Sequence, residues 1–170
     1  MTGIQLILGG ARSGKSRYAE QQASDSGQAV TYIATAQALD GEMDQRIEHH
    51  RQRRPDSWQT LEEPWQLAGA IAGAPADHLV LVDCLTLWVT NCLLADDPQC
   101  WPRERERLLT LLAERRQSLL LVSNEVGHGV VPMGDLSRRF VDESDWLHQD
   151  IARLADRVTL VVAGIPVAVK

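Results

Sequence analysis

Cysteine is scarce in this chain of 170 residues, and its placement excludes more than its number does. The three thiols, Cys84, Cys92 and Cys100, are odd in number and form no Cys-x-x-Cys pair. A disulfide framework or a cysteine zinc site is therefore not expected, and the thiols read as buried and reduced. Basic charge is also in deficit: 17 Lys and Arg stand against 23 Asp and Glu, a net charge of -6. Such a balance argues against a protein that coats nucleic acid or an anionic membrane, while leaving room for a local basic site. No apolar run approaches the roughly 20 residues of a membrane-spanning helix. The opening Met-Thr-Gly-Ile-Gln-Leu-Ile-Leu has no basic leader and no cleavage site, so no signal peptide is expected. The five tryptophans are scattered, with no stripe that would stack nucleic-acid bases. Repeats, low-complexity segments and linkers are absent as well. The expectation is a soluble, cytoplasmic, single domain over residues 1–170.

What is present is an alternation of short apolar runs with amphipathic stretches. Strands are expected at Ile4–Leu8, Val30–Ala34, Leu79–Val82, Leu119–Val122 and Val158–Val162, with a short last one at Val167–Val169. Helices are expected at Ser16–Ala23, Gly41–Arg54, Pro64–Ala72, Leu85–Leu94, Pro102–Gln117 and Ser137–Asp156. Pro55 would stop the second, and Pro64 would sit in the first turn of the third. Apolar strands alternating with helices imply an α/β fold with a mainly parallel sheet covered on both faces.

The strongest chemical signal is Gly9-Gly10-Ala11-Arg12-Ser13-Gly14-Lys15-Ser16, which meets the pattern G-x-x-x-x-G-K-[ST] between an expected strand and an expected helix. Glycines let backbone N–H groups turn towards phosphate, and the helix N-terminus adds its positive end. Lys15 is expected to reach the β- and γ-phosphates of a nucleoside triphosphate, and the Ser16 hydroxyl to ligate Mg²⁺. Asp83, closing Leu-Val-Leu-Val, is either a second Mg²⁺ ligand or a cap for the helix that follows. Glu125 could contact a metal, a substrate hydroxyl, or only Asn124 and nearby backbone. A basic patch runs Arg46-Ile-Glu-His49-His50-Arg51-Gln52-Arg53-Arg54. On a helix Arg46, His50 and Arg54 share one face, and His49 and Arg53 share another turned by about 100°. This is either a solvated face or a triphosphate clamp around a nucleophilic imidazole, whose flanking arginines would keep it neutral. His78, His128 and His148 read as structural or solvent-facing.

Leu8–Glu20, Tyr32-Ile-Ala-Thr-Ala36, Glu42–Pro55, Trp58-Gln-Thr-Leu-Glu62, Val82–Asn91 and Val122-Ser-Asn-Glu-Val-Gly-His-Gly-Val-Val-Pro132 follow one another in order. Together they resemble the bifunctional adenosylcobinamide kinase / adenosylcobinamide-phosphate guanylyltransferase family of cobalamin biosynthesis. The Arg-Ile-x-x-His-x-x-Arg-Arg-Pro and Asn-Glu-Val-Gly-x-Gly-x-Val-Pro elements are the specific ones; the phosphate loop alone would not select the family. The resemblance implies a RecA-like P-loop NTPase fold, a homotrimer and two reactions. ATP or GTP phosphorylates adenosylcobinamide. A histidine then attacks GTP, holds GMP as a phosphoramidate, and passes it to adenosylcobinamide phosphate, giving adenosyl-GDP-cobinamide. The covalent histidine falls on His50, with His49 adjacent. Nucleotide contacts fall on Gly9, Gly10, Ala11, Arg12, Ser13, Gly14, Lys15, Ser16, Ala34, Thr35, Ala36, Arg51, Gln52, Arg53, Arg54, Glu62 and Asp83. Mg²⁺ is the implied cofactor, held by Ser16 and Asp83. Asp83 stands where some relatives carry Glu, and the segment from Leu94 to Pro102 is short. Two other readings compete: a small-molecule kinase without guanylyl transfer, and a non-catalytic nucleotide switch. Neither requires the histidine element.

Overall fold

The computed structural model describes residues 3–37, 55–114 and 117–170. Its elements in chain order are β1 (Ile4–Gly9), α1 (Lys15–Asp25), β2 (Val30–Ala34), β3 (Gln59–Glu62), α2 (Leu67–Gly73), β4 (Leu79–Asp83), α3 (Leu85–Leu93), α4 (Cys100–Glu114), β5 (Ser118–Asn124), α5 (Asp135–Leu154), β6 (Arg157–Val162) and β7 (Ile165–Ala168). The strands form a seven-stranded sheet in the order β3-β2-β4-β5-β1-β6-β7. All pairings are parallel except β6 with β7, which close an antiparallel hairpin.

The strand sequences explain the layering. Leu79 and Leu81 face one side with Leu120 and Val122, while Val80 and Val82 face the other with Leu119 and Leu121. Successive strand residues point to opposite faces, so a strand apolar at every position needs cover on both. On one side α1 supplies it, with Ala19 and Ala23 buried beside Ile7 and Tyr32. On the other, Leu67, Trp88, Leu108, Leu112, Leu147 and Ile151 come from α2, α3, α4 and α5. There Trp88 and Trp101 meet edge to face, ring centres 5.3 Å apart.

The expected strands and helices are present where the chain is described, with shifted boundaries in several. The expected helix at Gly41–Arg54 lies outside the described residues. β3 was not expected; its four residues are all exposed, and among the described residues it pairs with β2 alone. α2 begins at Leu67, not at Pro64. The Glu63 carboxylate accepts the backbone N–H groups of Trp65 and Gln66, at 2.9 and 2.8 Å, and holds a turn there before the helix starts. α4 begins earlier than Pro102, at Cys100. The expected end of α4 at Gln117 is not observed, because the Gln117 amide donates to the Ala74 and Pro75 carbonyls just ahead of β5.

Candidate nucleotide site

The register of the parallel strands gathers the candidate residues at one edge of the sheet. Ala34 on β2 stands opposite Glu62 on β3 and Asp83 on β4. Asp83 stands opposite Val122 on β5, and Gly9 on β1 opposite Asn124. This is the carboxyl edge, where open α/β sheets bind ligands.

The loop from Gly9 to Gly14 is shaped by its glycines and braced by both neighbouring strands. A Cβ on Gly9 would lie 2.3 Å from Ser13 Oγ and 2.8 Å from the Val161 carbonyl, so no larger residue fits. Gly14 has φ 94°, and a Cβ there would sit 3.1 Å from Gly164 Cα. Arg12 is exposed, with φ 58°. On one side the Glu125 N–H donates to the Gly9 carbonyl at 2.9 Å; on the other the Gly164 N–H donates to the Ser13 carbonyl at 2.7 Å. Ala163 and Gly164, both with positive φ, make the two-residue turn of the β6–β7 hairpin. Lys15 is buried, and its Nζ donates to the Gly10 carbonyl at 3.2 Å. Its ammonium is thus folded over the loop. Ser16 lies in the first turn of α1.

Asp83 ends β4, separated from β1 by β5, and is held from β2: the Tyr32 hydroxyl donates to its Oδ2 at 3.0 Å. Thr35 forms a second tie. Its hydroxyl donates to the Cys84 carbonyl at 2.6 Å and accepts the Cys84 N–H at 2.9 Å, fully buried. The Asn91 amide on α3 donates to the Thr35 carbonyl at 2.8 Å and to the Pro64 carbonyl at 3.0 Å. Thr86 Oγ1 accepts the Asn124 amide at 3.1 Å. Burial, and then the charge of Asp83, push the Cys84 thiol up to about 11. Tyr32, Thr86 and Asn91 were missed by reading the sequence, although polar residues inside the apolar run Leu85–Leu93 were a usable signal. Ala34, Glu62 and Asp83 stand in register at this edge, and Ala36 follows two residues after β2. His50 and Arg51, Gln52, Arg53 and Arg54 lie outside the described residues, as do Arg46 and His49.

Next to the loop, Glu125 meets α5. The Gly127 N–H donates to Glu125 Oε1 at 2.7 Å. His148 is 6% exposed, and its Nε2 is paired with Ser123 Oγ at 2.7 Å. Its Nδ1 is 3.6 Å from Asp145 Oδ1. Burial pushes the His148 pKa down to about 4, against the pull of Glu125. Burial and then the Glu125 charge push the Asp145 carboxyl up.

A glycine-rich loop between β1 and α1, inside a mainly parallel sheet, with an acidic residue ending β4, defines a P-loop NTPase fold of the RecA-like class. Solved structures agree on the fold. A prototypical ATPase from the type III secretion system of pathogenic bacteria aligns over 94% of this chain and 52% of its own, with a TM-score of 0.58 and 13% identity. A KaiC-like protein from Pyrococcus horikoshii aligns over 94% and 70%, with a TM-score of 0.53 and 14% identity. Sequence comparison narrows the class. The pattern of the family described as cobinamide kinase / cobinamide phosphate guanyltransferase matches residues 5–169, and the chain belongs to that family. The bifunctional adenosylcobalamin biosynthesis protein CobP of Pseudomonas aeruginosa is 61% identical over 97% of this chain and 96% of its own length. CobU of Escherichia coli, with the same description, is 43% identical over 97% and 98%.

Proposed function

We propose that the chain phosphorylates the aminopropanol hydroxyl of adenosylcobinamide with ATP or GTP and then guanylylates the product, as one domain spanning residues 1–170. The observation that carries this reading is the placement of the phosphate loop, Ala34, Glu62 and Asp83 at the carboxyl ends of parallel strands, on one side of the sheet, in a chain of this family. In the first step the hydroxyl oxygen bonds to the γ-phosphorus, the bond to the nucleoside diphosphate breaks, and the hydroxyl proton is lost. Backbone N–H groups of the loop and Lys15 would hold the phosphates and neutralise charge, which is most of what phosphoryl transfer asks of a protein. In the second, an imidazole nitrogen of His50 bonds to the α-phosphorus of GTP and pyrophosphate leaves. A phosphate oxygen of cobinamide phosphate then displaces the imidazole, giving adenosyl-GDP-cobinamide.

Ser16 and Asp83 are a hydroxyl and a carboxylate, the hard oxygen donors that Mg²⁺ prefers, and the two are the residues that would hold it. When bound there Mg²⁺ supplies charge neutralisation to the phosphates. Arg51–Arg54 would bind GTP beside His50. A homotrimer is part of the reading, supported by exposed Val130, Val131, Met133 and Trp146 on and before α5. Sedimentation equilibrium tests it. Among the described residues no helix is long and apolar enough to cross a membrane. A cytoplasmic location is proposed with the activity.

The deciding experiment incubates the protein with Mg²⁺ and GTP labelled at the α-phosphate, followed by denaturation. Acid-labile label on wild type, lost in His50→Ala, is expected. Wild type without label leaves a kinase alone. Label lost in His49→Ala but kept in His50→Ala moves the nucleophile by one residue.

A further inference from the structure

The Asn-Glu-Val-Gly element ends β5 beside the phosphate loop, yet neither proposed reaction uses its neighbours on α5. Glu125, Asp145 and His148 each bring one donor atom to a common point, all within 4.8 Å of one another. His148 is 6% exposed, and its Nδ1 is buried with no hydrogen-bond partner. That nitrogen stands 3.6 Å from Asp145 Oδ1, too far for a good hydrogen bond. Two ligands of one tetrahedral zinc ion, each at about 2.0–2.1 Å, stand roughly 3.4 Å apart.

We propose that Glu125, Asp145 and His148 form a binding site for a divalent transition-metal cation of the Zn²⁺ type, separate from the nucleotide's own Mg²⁺ site at Ser16 and Asp83. The surroundings are those a metal site needs. With the Nε2 proton donated to Ser123 Oγ, 2.7 Å away, the Nδ1 lone pair is turned to the two carboxylates. A ligating histidine almost always donates its other N–H in this way. Glu125 is fixed by the Gly127 N–H at 2.7 Å. Asp145 approaches so closely that a Cβ on Gly127 would lie 2.0 Å from its Oδ2. Only glycine at 127 lets the carboxylate into the cluster. Two carboxylates are thereby held together with, among the described residues, no buried cationic side chain paired to either, an arrangement that a divalent ion stabilises. The imidazole selects against Mg²⁺, whose preference is for oxygen donors alone. His128, whose Nδ1 is 4.0 Å from Glu125 Oε1, is an exposed fourth donor within reach.

The test titrates chelator-stripped, nucleotide-free full-length protein with Co²⁺, read by its visible absorption, and with Zn²⁺ in competition against a chromophoric chelator. One saturating equivalent is expected in wild type and in Asp83→Asn. Asp145→Asn and Gly127→Ala, both at the surface end of the cluster and checked for native circular dichroism, are expected to weaken binding at least about tenfold. Ser123→Ala is expected to weaken it through the orientation of His148. Failure of wild type to bind a stoichiometric ion overturns the proposal. So does binding that survives unchanged in both Asp145→Asn and Gly127→Ala. Loss in Asp83→Asn, or in a His49→Ala/His50→Ala double variant while Asp145→Asn still binds, assigns the ion elsewhere and equally overturns it.

Discussion

Thr35 offers a sharp test of how the site is built, because the residue is expected among the nucleotide contacts by family resemblance while its hydroxyl is buried between two strands. Thr35→Val keeps the shape and removes the hydroxyl. The Cys84 N–H then loses the acceptor it reaches at 2.9 Å, and the Cys84 carbonyl loses the donor at 2.6 Å. The carbonyl keeps a second bond from the Trp88 N–H at 3.3 Å, so the N–H bears most of the penalty. An orphaned buried donor costs about 1–3 kcal/mol and a lost second bond about 1 kcal/mol, while the added methyl returns about 1 kcal/mol. The net loss is about 1–3 kcal/mol, a fall of roughly 2–12 °C in Tm for a chain of this size. Thr35→Ser keeps the hydroxyl and is expected to cost about 1 kcal/mol for its missing methyl. Urea unfolding measures both, and GTP titration follows the site, whose Asp83 adjoins the affected peptide. Thr35→Val within about 0.5 kcal/mol of wild type, the scatter of neutral substitutions, refutes the reasoning. If such a variant also binds GTP weakly, the hydroxyl belongs to the nucleotide and not to the strand joint.

Three further outcomes follow from the same geometry. Gly14→Ala places a Cβ at φ 94° and 3.1 Å from Gly164 Cα. The strain of about 1–2 kcal/mol and the displaced loop should raise the GTP Kd at least about tenfold, read by calorimetry; an unchanged Kd contradicts the bracing. His148, held near 4 by burial, is neutral when folded at pH values where the unfolded chain protonates it. The unfolded state then binds more protons, so stability present above about pH 6.5 should fall by roughly 3 kcal/mol as pH drops towards 4 in metal-free buffer. Asp145, with its raised carboxyl, works in the opposite direction near the bottom of that range. Urea titrations of wild type and His148→Gln check it, and equal pH slopes would count against the burial argument. Cys84, pushed up to about 11, and Cys92 and Cys100, both buried, should react with alkylating reagents at neutral pH only on unfolding. Fast labelling of the native protein would contradict their placement.

The parts of this fold that the sequence announces are those whose causes are local. Gly9–Ser16 is a contiguous motif, and its strand and helix stand on either side of it as expected. Leu79–Val82 in β4 and Leu119–Val122 in β5 read as unbroken apolar runs, and β1 as one broken only by Gln5, because both their faces are covered. β3 is silent because its four side chains are exposed, and pairing with β2 gives no pattern of burial to read. The start of α2 is misread at Pro64 because the Glu63 side chain, one residue earlier, ties Trp65 and Gln66 into a turn ahead of the helix. Strand order is not local at all: nothing in β5 itself says that it lies between β4 and β1. The same holds for His148, a residue of an amphipathic helix whose role depends on Ser123 and Glu125, more than 20 residues away in the chain.

Strand order is also what gives the phosphate loop its rigidity. With β1 between β5 and β6, each neighbour continues past its last ladder bond and donates one more N–H to the loop: Glu125 to Gly9, Gly164 to Ser13. The loop is therefore clamped at its entrance and again just before Gly14. Such a cradle is set before nucleotide arrives, so binding energy is not consumed in ordering it. A rigid cradle also restricts how the two proposed reactions can differ. If Lys15 and the loop hold the triphosphate in one pose, attack at the γ- or the α-phosphorus is decided by where the acceptor hydroxyl and His50 enter, not by rearrangement of the loop. Substitutions that loosen either clamp should then impair both reactions together, whereas His50→Ala should abolish guanylyl transfer and leave phosphorylation.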